Sequence, residues 1–136
     1  NPLSAALEAF AHIGARSVGL VSPYIPSVAD PIRQTFVEAG QAVPVSISFG
    51  EKCEARVARI DPESILAAGL EAARSGEVDC IFLSCTNLPT LDVVERLEAE
   101  TGLAVLSSNQ VLAWHAARLA SLELSPAAPG KLCSGN

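Results

Sequence analysis

Hydrophobic residues along this chain alternate between two rhythms. Leu3, Leu7 and Phe10 recur at spacings of three and four, which place them on one face of a helix. Gly14 breaks that pattern, and the short apolar run Val18-Gly19-Leu20-Val21 follows. The same succession returns three times. Ile32, Phe36 and Ala39 lead through Gly40 to a run at 43–49; Leu66, Leu70 and Ala73 lead through Gly76 to 78–84; Leu91, Val94 and Leu97 lead through Gly102 to 103–107. Glycine suits the left-handed residue just past a helix end. Asp30-Pro31 and Asp61-Pro62 each put a capping carboxylate before a proline at a first helical position. A last helix is expected at about 109–121, with Leu112, Ala116 and Leu119 on one face.

Alternating helices and short apolar strands predict an α/β fold, with a four-stranded parallel sheet covered by helices on both faces. Right-handed crossovers restrict it to a flavodoxin-like or Rossmann-like lobe. Residues 1–121 are expected to form this single lobe. Residues 122–136, rich in proline, glycine and serine, are expected to form a flexible tail.

The chain has 136 residues, 49% of them hydrophobic, yet no apolar run approaches the ~20 residues of a membrane span. The amino end carries no basic region followed by a continuous apolar stretch, so no secretory leader is expected. There is also no methionine, even at position 1, which is expected of a processed, truncated or partial chain. The net charge of −6, without any lysine or arginine cluster, argues against nucleic acid and anionic lipid as partners. Cys53, Cys80, Cys85 and Cys133 form no C-x-x-C pair, and His12 and His115 lie far from them in sequence. No metal site is expected, and a reducing cytoplasm is the expected compartment. Phosphate-binding and dinucleotide motifs are missing, so no cofactor is expected.

In such sheets ligands bind beyond the carboxyl ends of the strands. Those ends here are Ser22-Pro23-Tyr24, residues 50–53, Ser84-Cys85-Thr86-Asn87 and Ser107-Ser108-Asn109. This edge is rich in hydroxyls and amides and carries a thiol, which fits a small carboxylate held by neutral donors. Cys85 ends an apolar run, and Pro89 is expected to open the next helix. Backbone N–H groups and a helix dipole would there favour a thiolate able to move protons. A small core cysteine is the other reading of the same position. Thr86 and Asn87 are candidate donors beside it. Tyr24, the only tyrosine, can donate to a carboxylate. Ser107, Ser108 and Asn109 together form a candidate anion-binding turn. Cys53 reads as an incidental loop residue, Cys80 as core and Cys133 as part of the tail. Trp114 is expected to pack against another lobe or subunit.

Val21-Ser22-Pro23-Tyr24, Phe82-Leu83-Ser84-Cys85-Thr86-Asn87-Leu88 and Leu106-Ser107-Ser108-Asn109-Gln110, with Leu112-Ala113-Trp114-His115 behind them, resemble the aspartate/glutamate racemase superfamily. The nearest branch comprises maleate cis-trans isomerases, ectoine-utilisation (EutA-like) proteins and arylmalonate decarboxylases. The resemblance runs from about residue 2 to 120. It implies cofactor-independent chemistry, with two α/β lobes each presenting one cysteine to a small carboxylate. It further implies that Cys85 is the second-lobe acid–base thiol, that Tyr24 contacts the substrate carboxylate, and that Thr86 and Asn87 complete the anion site with Ser22, Pro23, Ser107 and Ser108. The decarboxylases carry a glycine pair after this cysteine. Thr86-Asn87 stands here instead, which ranks an isomerase of the maleate-to-fumarate type first and a racemase or decarboxylase second. A non-catalytic carboxylate-binding module is a further alternative. The first-lobe motif is absent, so the expected partners are that missing lobe, a second copy of the chain, or both.

Overall fold

Each helix–glycine–strand unit returns the chain to the same end of a sheet, so every strand runs the same way. The computed structural model describes residues 1–134. Its strands are β1 (Ser17–Tyr24), β2 (Ala42–Glu51), β3 (Cys80–Leu83) and β4 (Ala104–Ser107). They pair in parallel in the order β2-β1-β3-β4. The helices are α1 (Pro2–Ile13), α2 (Pro26–Glu38), α3 (Glu54–Val57), α4 (Pro62–Arg74), α5 (Leu91–Thr101), α6 (Ser108–Leu119) and α7 (Lys131–Ser134). This is the flavodoxin-like alternative of the two expected. The chain moves from β1 outward to β2, then crosses back to β3 on the other side. The order therefore reverses between β1 and β3, and a crevice opens at their carboxyl ends.

Alternate side chains send each strand into two cores. On one face Val18, Leu20, Phe82 and Leu106 pack under α1, α2 and α6. There Phe10, Phe36 and Phe82 meet edge-to-face, with centroids 5.3–5.6 Å apart, a favoured aromatic arrangement. On the other face Val21, Ile81, Leu83 and Val105 pack against Ile65, Leu66, Val93 and Leu97 of α4 and α5. Gly19 lets α4 approach β1, since a Cβ there would lie 3.1 Å from the Cβ of Ala72. Cys80 is fully buried in β3, as its sequence context predicted. No helix among the described residues is long and apolar enough to cross a membrane.

Three local expectations are corrected. Helix α2 begins at Pro26, not at Asp30-Pro31. Pro26 takes the early position where a missing N–H costs nothing, and Pro31 is carried inside the helix, which starts directly after Tyr24. Trp114 packs within the lobe: it is buried, with His12 of α1 5.1 Å away and the Arg118 guanidinium 4.9 Å from its ring. The segment from 122 onward, expected to be a flexible tail, docks in part: Leu124 and residues 129–132 pack or hydrogen-bond onto the lobe, while 122, 123 and 125–127 are exposed. Gln110 Nε2 donates to Pro129 O at 2.7 Å, Lys131 Nζ donates to Gly102 O at 2.8 Å, and the Glu98 carboxylate accepts from Lys131 N and from Val105 N. Leu132 inserts into the α1/α6 core. Pro126, Pro129 and Gly130 read as disorder in sequence, but they shape a turn that brings α7 to the edge of β4. Residues 135–136 of the expected tail lie outside the described residues.

Leu132→Ala tests this docking. A buried leucine truncated to alanine costs about 2–5 kcal/mol. We expect a loss at the low end of that range, about 2 kcal/mol, in urea unfolding; an unchanged midpoint would mean that the segment does not stabilise the lobe.

Candidate active site

The crevice between β1 and β3 collects the central candidates. Tyr24 ends β1, and Cys85 lies two residues beyond β3. Both line a cavity of about 170 Å³ with Ser84, Thr86 and Ser108, closed on its apolar side by Leu3 and Ile32. Among the described residues, none that lines it is charged.

The position of Cys85 differs from the expectation in one respect. Helix α5 starts at Leu91, with Thr90 as its N-cap, so Cys85 stands a turn and a half before it and the α5 dipole does not act on the thiol. Pro89 stands between the turn at 86–88 and the helix, not at the helix start. The helix end that meets Cys85 is that of α6. Ser108, the first residue of α6, accepts a hydrogen bond from Cys85 N–H at 3.1 Å through its Oγ. Asn109 Nδ2 donates to Thr86 O at 3.0 Å. Asn87 N–H donates to Cys85 Sγ at 3.3 Å. The turn that carries the thiol is thus pinned from both sides, and the thiol side chain is 5% exposed.

Ser107 plays a different part from the one expected. It is fully buried and caps α6, its Oγ accepting from Gln110 N–H while Gln110 Oε1 accepts from Ser107 N–H. That capping box accounts for its hydroxyl, so Ser107 does not face the cavity. Ser22 is also buried away from it, its hydroxyl 3.1 Å from that of Ser48 across β1 and β2. Pro23 is buried in β1 and does not line the cavity. Asn87 is exposed, and its Nδ2 donates to Glu54 Oε2 at 2.8 Å. Of the nine residues singled out from sequence, the fold gathers Tyr24, Cys85, Thr86 and Ser108 around the cavity, keeps Asn87 in contact with the thiol and Asn109 on the Thr86 carbonyl, and leaves Ser22, Pro23 and Ser107 as framework. Cys53 is exposed at the start of α3 and donates its N–H to Glu51.

Glu54 was not anticipated. It sits one residue past the loop recognised as the carboxyl end of β2, so the edge-of-sheet rule could have reached it. It lines a second cavity, of about 280 Å³, on the other side of Tyr24.

Burial of the phenol raises the pKa of Tyr24 far above the ordinary tyrosine value, and the nearby Cys85 thiol and Glu54 carboxylate add to the shift. Tyr24 is thereby held as a neutral donor. Among the described residues, no three His, Cys, Asp or Glu side chains gather as a metal-binding group.

A parallel lobe in this strand order, with a pinned thiol and a phenol at the switch point, defines the cysteine-bearing α/β class of the sequence resemblance. More particularly, the chain belongs to the arylmalonate decarboxylase family, whose model matches residues 3–133. It is 30% identical to arylmalonate decarboxylase of Bordetella bronchiseptica over 118 residues, covering 86% of this chain and 49% of that protein. It is 31% identical to maleate isomerase of Nocardia farcinica over 127 residues, covering 93% and 49%. Among solved structures, it matches a liganded double mutant of arylmalonate decarboxylase with a TM-score of 0.91 at 27% identity, over 98% of this chain and 57% of that one. It matches a cysteine-to-serine mutant of the Nocardia farcinica maleate cis-trans isomerase, with a covalently bound succinylcysteine intermediate, with a TM-score of 0.87 at 26% identity, over 97% and 54%. The chain spans about half the length of the curated relatives it matches.

Because Tyr24 is the only tyrosine, its ionisation can be read alone by ultraviolet titration. A free phenol is half ionised at about pH 10. We expect no tyrosinate signal from the folded chain at that pH. By linkage, the stability this group contributes is complete below about pH 10 and is lost as the pH rises beyond it. A native midpoint near 10 would contradict the buried donor.

Proposed function

We propose that this chain is one lobe of a cofactor-independent isomerase acting on a small carboxylate, most like a maleate cis-trans isomerase, with Cys85 as its proton-transfer group. The observation that carries the reading is the meeting of Cys85 and Tyr24 in one uncharged cavity at the β1/β3 switch point. Family membership and the succinylcysteine adduct of the Nocardia farcinica relative support it.

A succinyl adduct is the saturated product of thiol addition across a butenedioate double bond. In the proposed reaction a thiolate from the first lobe forms a carbon–sulfur bond at one alkene carbon. Cys85 delivers its proton to the neighbouring carbon, leaving a carbon–carbon single bond that rotates. Cys85 thiolate then removes the proton, the carbon–sulfur bond breaks, and the trans alkene leaves. No electrons are gained or lost overall, and both thiols return to their starting states. Tyr24, Ser108 and Thr86 hold the carboxylate by neutral hydrogen bonds, and Asn87 N–H orients the sulfur. The first lobe is the proposed partner, contributed by a separate segment.

The test is proton NMR of maleate incubated with this chain and a separately produced amino-terminal lobe of the Nocardia farcinica isomerase. Fumarate is expected from the mixture and not from either part alone, with at least a 100-fold loss on Cys85→Ser, the scale of a missing general acid–base. Turnover that survives Cys85→Ser would overturn the role of the thiol. Loss of carbon dioxide from phenylmalonate without maleate turnover would assign the decarboxylase reaction instead.

A further inference from the structure

The turn that carries the thiol holds itself weakly. Its own backbone bond, from Leu88 N–H to Cys85 O, is 3.4 Å long, beyond the usual range of about 2.7–3.2 Å. Side chains from other elements supply the rest. On one side α6 brings Ser108 to Cys85 N–H and Asn109 to Thr86 O. On the other side α3 brings Glu54, whose Oε2 accepts from Asn87 Nδ2 at 2.8 Å. The backbone N–H of that same asparagine donates to Cys85 Sγ at 3.3 Å. Two hydrogen bonds in series thus run from the start of α3 to the sulfur. The Glu54 side chain is exposed, but the backbone beneath it is anchored at both ends. Glu51 Oε1 accepts from the N–H groups of Lys52 and Cys53, which fixes the approach to α3. Val57, the last residue of α3, is buried in the same core as Leu83 and Cys85.

We infer that Glu54 is a positioning residue for proton transfer at Cys85: it holds the Asn87 side chain and so keeps the Asn87 N–H on the sulfur. This inference rests on the reading of Cys85 as the proton-transfer group and extends it to the element behind the turn. An N–H aimed at sulfur favours thiolate over thiol, and the proposed cycle forms the thiolate in every turnover. The charge of Glu54 acts the other way, since a carboxylate near a thiol disfavours the thiolate. The N–H touches the sulfur directly, whereas the carboxylate lies beyond Asn87 and in solvent, where its field is screened. The hydrogen bond therefore outweighs the charge, and losing Glu54 makes the thiolate harder to form although a negative charge has left. The other groups around the turn do not duplicate this role. Beside the thiol, β1 offers Tyr24, while α1, α2 and α6 offer Leu3, Ile32 and Ser108. Asp92 of α5 lines a cavity that Asn87 also lines.

These contacts lie within this lobe, so the test uses the chain by itself. It is a ¹³C NMR titration of the full chain labelled at the cysteine Cβ positions, across the range in which thiols ionise, about pH 6 to 11. The Cys85 resonance is assigned by its loss in Cys85→Ser. Glu54→Ala is expected to raise the Cys85 midpoint by about one pH unit, an about tenfold loss of thiolate at neutral pH, the scale of one hydrogen bond to a charged group. Glu54→Gln keeps an acceptor for Asn87 Nδ2 without the charge, and is expected to hold the wild-type midpoint or to lower it slightly. Asn87→Ala should reproduce the rise, and the double variant Glu54→Ala/Asn87→Ala should add nothing to it. Glu54 and Asn87 are exposed, so amide spectra away from the turn should stay as in the wild type. A midpoint unmoved in Glu54→Ala, an equal shift of either sign in both Glu54 variants, or additive shifts in the double variant overturns the positioning role and leaves Cys85 as the proton-transfer group. A Cys85 resonance that does not titrate even in the wild type overturns the reading of Cys85 itself, and the role of Glu54 with it.

Discussion

The site depends on one hydrogen bond, from Cys85 N–H to Ser108 Oγ. A strand that ends in the middle of a sheet leaves its next backbone N–H groups without ladder partners. A buried N–H without an acceptor costs about 1–3 kcal/mol, so the turn after β3 must find one. Ser108 supplies it from the first position of α6. That single bond fixes the backbone that carries the thiol and joins the carboxyl ends of β3 and β4. With it, Cys85 has a defined direction toward Tyr24.

The bond has a deeper support. Ser108 is where it is because Ser107 and Gln110 form a reciprocal cap that fixes the start of α6. The Gln110 amide then reaches Pro129 O, and Glu98 gathers the N–H groups of Val105 and Lys131. The carboxyl-terminal segment, the start of α6 and the edge of β4 therefore form one hydrogen-bonded unit behind the thiol. Sulfur held by the fold in this way can face a substrate without reorganising, which is what proton transfer over a short distance requires.

Much of this was legible in the chain. The helix–glycine–strand rhythm gave four parallel strands, and the rule that ligands gather at strand ends gave Tyr24, Cys85 and Ser108. Where reading from sequence fell short, the causes are specific. Asp30-Pro31 mimics the true helix start at Asp61-Pro62, but Pro26 acts first. Ser107 and Ser108 look equivalent in sequence, yet one helical step turns the first toward Gln110 and the second toward Cys85. Pro126, Pro129 and Gly130 carry the composition of a loose tail, and only long-range partners, Glu98 and Gln110, reveal that it docks. Glu54 opens the short helix α3 at the surface, and its contact with Asn87, 33 residues away, is not visible in sequence.

The central claim is that the α6 start presents Cys85, though largely buried, to a cavity that the proposed carboxylate enters. Iodoacetamide labelling with peptide mapping, with and without maleate, tests it most directly. Cys80, fully buried and with its pKa raised by that burial, serves as the internal control. The account predicts that Cys85 labels in the native chain while Cys80 does not, and that maleate slows labelling at Cys85 alone. Labelling of Cys85 only after denaturation, in step with Cys80, would show a core cysteine and contradict the account.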